Sequence, residues 1–245
     1  MKKILFCDLD GTLLPRGKKS ISKDVLAEIK RITAKGALFA VASGRSYDEL
    51  KALFSTLSQD VIFICLDGAL AIYRDCVIYK NRLCKIEAGR LISLSPRATV
   101  FGRTKTLNFD ENTNSVLRTQ MLNTLGSEVF KVATLDSPKK SEIARICYNR
   151  DGICEYVNHS ADKGAAAKAV CNKFCSITFI AMKRNATHRS ALAHSAILPR
   201  QGELQFPRRC NCVIEKHFIE IANAIKKNII LISVFDFKEL LHHRR

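Results

Sequence analysis

The sequence predicts a three-layer α/β protein with a Rossmann-like parallel sheet and an inserted α+β segment. Short apolar runs typical of buried strands alternate with helical stripes of apolar residues, at the spacing of strand–helix–strand units. Of the 245 residues, 47% are hydrophobic and 26% charged, which suits one large domain or two unequal ones. Paired carboxylates directly follow the first apolar run. This arrangement predicts a ligand site at the carboxyl edge of the sheet.

The first predicted strand is the apolar run at residues 4–7, and it leads into two acids. Asp8 and Asp10 are spaced i and i+2, which in extended chain places both side chains on the same side. Gly11 follows as a turn residue. Two neighbouring carboxylates repel each other unless a cation lies between them or one takes a proton. Oxygen ligands of this kind suit Mg²⁺, so the pair predicts a magnesium site.

The next unit is a helix followed by a second buried strand. Ser22 is a predicted N-cap, an apolar stripe follows it, and Gly36 ends the helix at the C′ position. Residues 37–42 form the predicted strand, with Ser43 and Gly44 at its tip. A hydroxyl and the amides that begin a helix can hold phosphate oxygens, so this tip is a candidate phosphate-binding turn.

The middle of the chain alternates weak helix and strand patterns and contains no catalytic constellation. After a further apolar run at 61–65, residues 66–69 are interpreted as a turn. A mixed α+β segment between phosphate-binding turns is typical of a separate lid. We therefore predict a cap domain at residues 84–155, within a core domain formed by residues 1–83 and 156–245.

A candidate third site element begins at Lys163, where a loop turns into an Ala-rich helix. A strand-like run at 177–181 follows, but no Asp occurs between Lys163 and Phe235. Residues 182–212 lose periodicity and become rich in Arg, His, Ser and Ala. This pattern indicates an out-of-frame reading or a replaced end, which translation of the other two frames would test. Residues 185–245 are therefore treated as atypical, and Asp236, after a strand-like run, is an alternative third metal ligand.

Charge, cysteine usage and hydropathy exclude several classes of protein. The formal charge of +17 is spread over the chain without a recognisable nucleic-acid-reading motif, which disfavours a nucleic-acid partner. The ten cysteines form no Cys-x-x-Cys pair and indicate free thiols in a reducing cytoplasm. The longest late apolar run, at 229–235, is too short to span a membrane.

Three motifs resemble those of the haloacid dehalogenase-like (HAD) phosphohydrolases. The run Asp-Leu-Asp-Gly-Thr-Leu-Leu at 8–14 resembles the first motif, and Ser-Gly-Arg at 43–45 is similar to the second motif of the Cof-type subgroup. Lys163, followed by Gly and Ala, resembles the third-motif lysine. The resemblance covers residues 1–175, and the fourth motif is missing. Cof-type proteins usually show Asn-Gly-Ala at the position where this chain carries Asp67.

The resemblance implies a Rossmann-like core with a C2-type cap and a Mg²⁺-dependent phosphatase acting on a small phosphorylated metabolite. Asp8 would attack phosphorus to form an aspartyl-phosphate, and Asp10 would act as general acid and base, both holding Mg²⁺. Lys163 would stabilise the transferring phosphoryl group. Arg45 would either contact substrate or cap the next helix. The implied phosphate-binding residues are Thr12, Ser43, Gly44 and Arg45. Two alternatives stay open: an inactive member that binds a phosphorylated ligand, and a basic nucleic-acid-binding protein.

Overall fold

Strands and helices alternate along most of the chain in the computed structural model, which describes residues 3–174 and the backbone of two later strands. The strands are β1 (Lys3–Asp8), β2 (Leu38–Ala42), β3 (Val61–Cys65), β4 (Leu70–Tyr73), β5 (Cys76–Lys80), β6 (Ala98–Phe101), β7 (Thr106–Phe109), β8 (Lys131–Thr134), β9 (Ala144–Arg150), β10 (Ile153–Asn158), β11 (Thr178–Met182) and β12 (Ser195–Ile197). The helices are α1 (Lys23–Ala34), α2 (Tyr47–Leu53), α3 (Lys85–Ser93), α4 (Ser115–Asn123) and α5 (Lys163–Lys173).

The first sheet has seven strands in the order β12-β11-β1-β2-β3-β4-β5. Its four central strands, β11, β1, β2 and β3, pair in parallel, and the strands outside them pair antiparallel. The crossovers α1 and α2 connect parallel neighbours, as expected for strand–helix–strand units. Consequently the carboxyl ends of β1, β2 and β3 lie at one edge of the sheet.

Helices cover both faces of this sheet, which confirms the three-layer α/β prediction. Successive strand residues point to opposite faces. Leu5 and Cys7 of β1 accordingly belong to one core cluster, together with α1 and α2. Ile4 and Phe6 belong to another, together with α5. Apolar burial on both faces keeps the central strands in register and fixes the edge where they end.

Residues 84–158, which we call the insert, form a second sheet in the order β7-β6-β8-β10-β9 with α3 and α4. All its strand pairs are antiparallel, and it has a core cluster of its own. The domain boundary predicted between residues 155 and 156 falls inside β10, which pairs with β8 and β9. The second sheet therefore extends to Asn158.

Local sequence signals account for several element boundaries. Helix α1 begins after Ser22, whose Oγ accepts a hydrogen bond from the Val25 amide, and Gly36 follows its C-cap with φ +85°. Two insert strands had no prediction. Strand β9 is an edge strand with mostly exposed residues, so it lacks the alternation that marks a half-buried strand. Strand β7 alternates exposed and buried residues but spans only four positions, the shortest run in which that alternation is informative.

The predictions made for residues after Met182 lie mostly outside the described residues. Strand β11 confirms the strand-like run at 177–181 and pairs in parallel with β1. The short strand β12 pairs antiparallel with β11. Asp236 and the apolar run before it are outside the described residues.

Candidate active site

Four chain segments that are distant in sequence meet at the carboxyl edge of the first sheet. Asp8 is the last residue of β1, Ser43 directly follows β2, and Asp67 lies in a 3₁₀ turn (Leu66–Gly68) directly after β3. Lys163 begins α5. Parallel strands end at a common edge, so the sheet topology alone brings the first three together.

An ion pair joins the first and the last of these segments. The Nζ of Lys163 donates to Oδ1 of Asp8 at 2.8 Å, and the two side chains are 27% and 14% exposed. Asp162 caps α5 by accepting from the Ala165 amide at 2.7 Å, which fixes where Lys163 leaves the helix. The predicted nucleophile and the predicted lysine are therefore in direct contact.

The second carboxylate is held by the turn after β2. Ser43 Oγ donates to Asp10 Oδ2 at 2.8 Å, and Arg45 donates to Oδ1 through Nη2 at 2.8 Å and through Nε at 3.1 Å. Partial burial alone would raise the pKa of Asp10, but the hydrogen bonds from Arg45 and Ser43, with the nearby charge of Lys163, bring that pKa below its usual value. Asp10 is therefore a stable anion in this arrangement.

Arg45 does not cap the following helix. Its guanidinium pairs with Asp10, and Ser46 is the N-cap of α2, in a capping box with Glu49. In a capping box the cap hydroxyl and the third-residue carboxylate satisfy each other's amides, so the helix start needs no arginine. Arg45 is thus placed to control the charge state of Asp10.

The remaining predicted phosphate contacts line the same edge. Thr12 is buried in the turn after β1, where its amide donates to the Leu9 carbonyl at 3.1 Å. Ser43 is also buried, and its Oγ accepts from the Arg45 amide at 3.2 Å while donating to Asp10. Gly44 lies against Asp67: a Cβ added to Gly44 would lie 3.0 Å from both carboxylate oxygens of Asp67. A side chain at position 44 would push into that carboxylate.

The oxygen atoms of Asp8 and Asp10 are of the type that binds a hard divalent cation. Lys163 engages one oxygen of Asp8, while Arg45 and Ser43 engage both carboxylate oxygens of Asp10. Mg²⁺ accepts one or two protein oxygens plus water and phosphate, and here the second oxygen of Asp8 and the backbone carbonyl of Asp10 would be its protein ligands. The alternative ligand Asp236 lies outside the described residues.

Lys131, which was not among the predicted site residues, reaches this edge from β8 of the insert. Its Nζ donates to the Gly44 carbonyl at 3.0 Å and pairs with Asp67 at 2.9 Å and Glu155 at 2.5 Å. One signal was present: Lys131 interrupts an apolar strand between Phe130 and Val132, both fully buried. A lysine inside such a run needs a buried partner.

No helix among residues 3–174 combines the length and the apolar character needed to cross a lipid bilayer.

Known proteins resemble this chain in sequence and in fold. Residues 5–100 match the family model described as haloacid dehalogenase-like hydrolase. The 5-amino-6-(5-phospho-D-ribitylamino)uracil phosphatase YbjI of Escherichia coli is 26% identical over 83 residues, which are 34% of this chain and 31% of that protein. Phosphoglycolate phosphatase 1 of Saccharolobus solfataricus is 31% identical over 86 residues, 35% and 36% of the two chains. The chain thus spans about a third of the length of these curated relatives.

A solved structure extends the likeness beyond the matched segment. A HAD/COF-like hydrolase from Plasmodium vivax superposes with a TM-score of 0.57 over 71% of this chain and 75% of that chain, at 15% sequence identity. At this identity the likeness shows the fold, which is the one that the sequence motifs predict.

Proposed function

We propose that the chain, whose residues 5–100 match the family model of haloacid dehalogenase-like hydrolases, is a Mg²⁺-dependent phosphatase of small phosphorylated metabolites. The observation that carries the proposal is the contact between Lys163 and Asp8, at 2.8 Å across 155 positions of sequence. A nucleophilic carboxylate beside a fixed ammonium, at a sheet edge with a hydroxyl and a second carboxylate, suits phosphoryl transfer.

The proposed reaction has two displacements at phosphorus. One oxygen of Asp8 attacks, the bond from phosphorus to the substrate oxygen breaks, and the leaving oxygen takes a proton from Asp10. Water then attacks phosphorus and gives one proton to Asp10, the bond from phosphorus to the Asp8 oxygen breaks, and inorganic phosphate leaves the restored Asp8 carboxylate. Lys163 stabilises the charge on the transferring group from its position next to Asp8. A bound Mg²⁺ would neutralise charge on the phosphate oxygens.

Arg45 adds a condition to this scheme. Asp10 must carry a proton when it acts as the acid, but the hydrogen bonds from Arg45 and Ser43 keep its pKa below the usual value. We infer that substrate binding draws Arg45 and Ser43 from Asp10 to the phosphate. The same two side chains would then bind the substrate and release the acid.

The substrate class rests on the relatives. The names of the Escherichia coli and Saccharolobus solfataricus proteins specify small phosphate monoesters, a phosphoribityl compound and phosphoglycolate. We infer a substrate of the same general size, and we infer that the insert is a cap that covers it. Caps of this kind exclude water and select the leaving group.

A hydrolysis assay on the purified full chain tests the proposal. We expect 4-nitrophenyl phosphate to be hydrolysed in the presence of Mg²⁺, and Asp8→Asn to abolish the turnover because an amide oxygen is a poor nucleophile. Asp60→Asn is the matched control, since Asp60 directly precedes β3 at the opposite edge of the sheet. Equal rates in the parent and in Asp8→Asn would disprove the mechanism. Phosphate binding without turnover in the parent would favour the non-catalytic alternative.

A further inference from the structure

Two cationic side chains of the insert donate hydrogen bonds to the backbone of the two loops that carry the candidate active site. Lys131 of β8 donates to the carbonyl of Gly44, between Ser43 and Arg45. Arg145 of β9 donates through Nε to the carbonyl of Ala161 at 2.8 Å, two residues before Lys163. The insert therefore contacts the site through main-chain carbonyls next to its functional residues.

Lys131 is the more deeply buried of the two. Its side chain is 2% exposed, lies 5.8 Å from the centre of the Phe101 ring, and is enclosed by the carboxylates of Asp67 and Glu155. Burial lowers the pKa of Lys131, but the neighbouring carboxylates outweigh burial and raise it. An ammonium so enclosed has no open path to substrate, so its contacts are with the protein.

The loop that Lys131 contacts is also held by the turn after β3. The Asp67 amide donates to the Ser43 carbonyl at 3.2 Å, and the Leu66 amide donates to the Arg45 carbonyl at 2.9 Å. The three carbonyls from Ser43 to Arg45 are thus all engaged, the middle one by the insert. Loss of the middle bond would free the peptide that orients both Ser43 Oγ and the Arg45 side chain.

A metal site was the main alternative for this cluster. Asp67, Cys147 and Glu155 place ligand atoms within 4.8 Å of one another. The Lys131 ammonium lies within hydrogen-bond distance of both carboxylates and supplies the positive charge that a metal ion would bring. The cluster already contains its cation, so the observations favour an internal ion-pair network.

We propose that Lys131 is a positioning residue that docks the insert on the loop at Ser43–Arg45 and sets the geometry of that loop. Asp67 and Glu155 hold its ammonium in place, and the Gly44 carbonyl receives the bond that matters for the site. The expected effect of Lys131 on kcat rests on the proposed function, whereas its expected effect on the loop at Ser43–Arg45 does not.

Hydrogen exchange of the full chain tests the structural part. The triple variant Lys131→Met/Asp67→Asn/Glu155→Gln removes the bond to Gly44 without leaving buried charges unpaired, which single substitution would do. We expect amides in the peptide 43–47 to exchange roughly tenfold faster than in the parent, because a hydrogen bond from a charged donor is lost. Unchanged exchange in a folded triple variant would overturn the proposal.

Two further variants keep the experiment decisive. Arg97→Met removes an exposed ion pair with Glu111 in the insert and should leave exchange at 43–47 unchanged. If the triple variant does not fold, Asp67→Asn replaces it, since this change retains the pairing of Lys131 with Glu155. It should accelerate exchange roughly threefold, and equal exchange would count against the proposal.

Steady-state kinetics test the catalytic part. A displaced loop should lower kcat roughly tenfold at an unchanged thermal unfolding midpoint, because small errors in alignment are costly to phosphoryl transfer. If the parent shows no Mg²⁺-dependent hydrolysis, the proposed function fails while exchange at 43–47 still decides on Lys131. If the parent is active and the folded triple variant has the same kcat and the same exchange, the inference is wrong.

Discussion

Replacing Lys163 with Met removes the charge next to the predicted nucleophile and preserves most of the side-chain volume. The ammonium lies 2.8 Å from Asp8, and both side chains are less than a third exposed. At an effective dielectric constant of ~20, opposite charges at this distance attract by about 6 kcal/mol before desolvation is subtracted. Most of that attraction is offset by desolvation, so we expect the substitution to cost about 1–3 kcal/mol of folding free energy.

The expected effect on catalysis is larger. In the proposed mechanism Lys163 stabilises negative charge that increases on the phosphoryl oxygens in the transition state, and removal of one such preorganised group typically lowers kcat about 10²–10³-fold. KM should change less, since the phosphate contacts proposed for Ser43, Gly44 and Arg45 would remain. Lys163→Met should therefore reduce kcat far more than it raises KM.

The assay is Mg²⁺-dependent hydrolysis of 4-nitrophenyl phosphate, followed at saturating substrate together with thermal unfolding of each variant. Lys168→Met is the control, because Lys168 is an exposed lysine on the same helix, α5. A kcat for Lys163→Met within about threefold of the parent, in a folded protein, would contradict the electrostatic role assigned to this residue.

Three further predictions concern charge, backbone and metal. Because the pKa of Asp10 lies below its usual 3.8, the pairing with Arg45 contributes its full stabilisation above pH 3.8 and loses it as pH falls through the lower pKa of the folded state. Arg45→Met should lower the free energy of unfolding in urea at pH 7, by less than about 1 kcal/mol for this exposed pair, and the difference from the parent should shrink as pH falls below 3.8. Gly68→Ala should lower the free energy of unfolding by about 3–5 kcal/mol, since the added Cβ would lie 2.2 Å from the Asp162 backbone. Gly36→Ala is the control: Gly36 has a similar φ but nothing within 4 Å, so the loss should be about 1–2 kcal/mol. Equal unfolding midpoints for the two variants would contradict the predicted clash. Chelation by EDTA should abolish hydrolysis and added Mg²⁺ should restore it, and activity that persists after exhaustive chelation would count against a metal ligand role for Asp8.

Local chemistry made part of the site predictable. A carboxylate directly after an apolar strand must lie at the strand's carboxyl end, and parallel pairing then puts Ser43 next to Asp8 regardless of side-chain detail. The position of α5 was also predictable, because Asp162 is an N-cap residue three positions before the amide that it binds. The edge strand β9 was not predictable, since its mostly exposed residues show no regular alternation of apolar and polar side chains.

The sequence by itself therefore determined the strands and helices of the core and the paired acids that follow β1, since strand and helix periods depend on neighbouring residues. Lys163 stood out only through its resemblance to a family motif. Only the tertiary structure assigned Arg45 to Asp10 and brought Lys131 from the insert to Gly44. Both assignments depend on which groups are buried together after the two sheets form. A side chain's choice among distant charged partners is decided by that packing, and no periodic pattern in the chain records it.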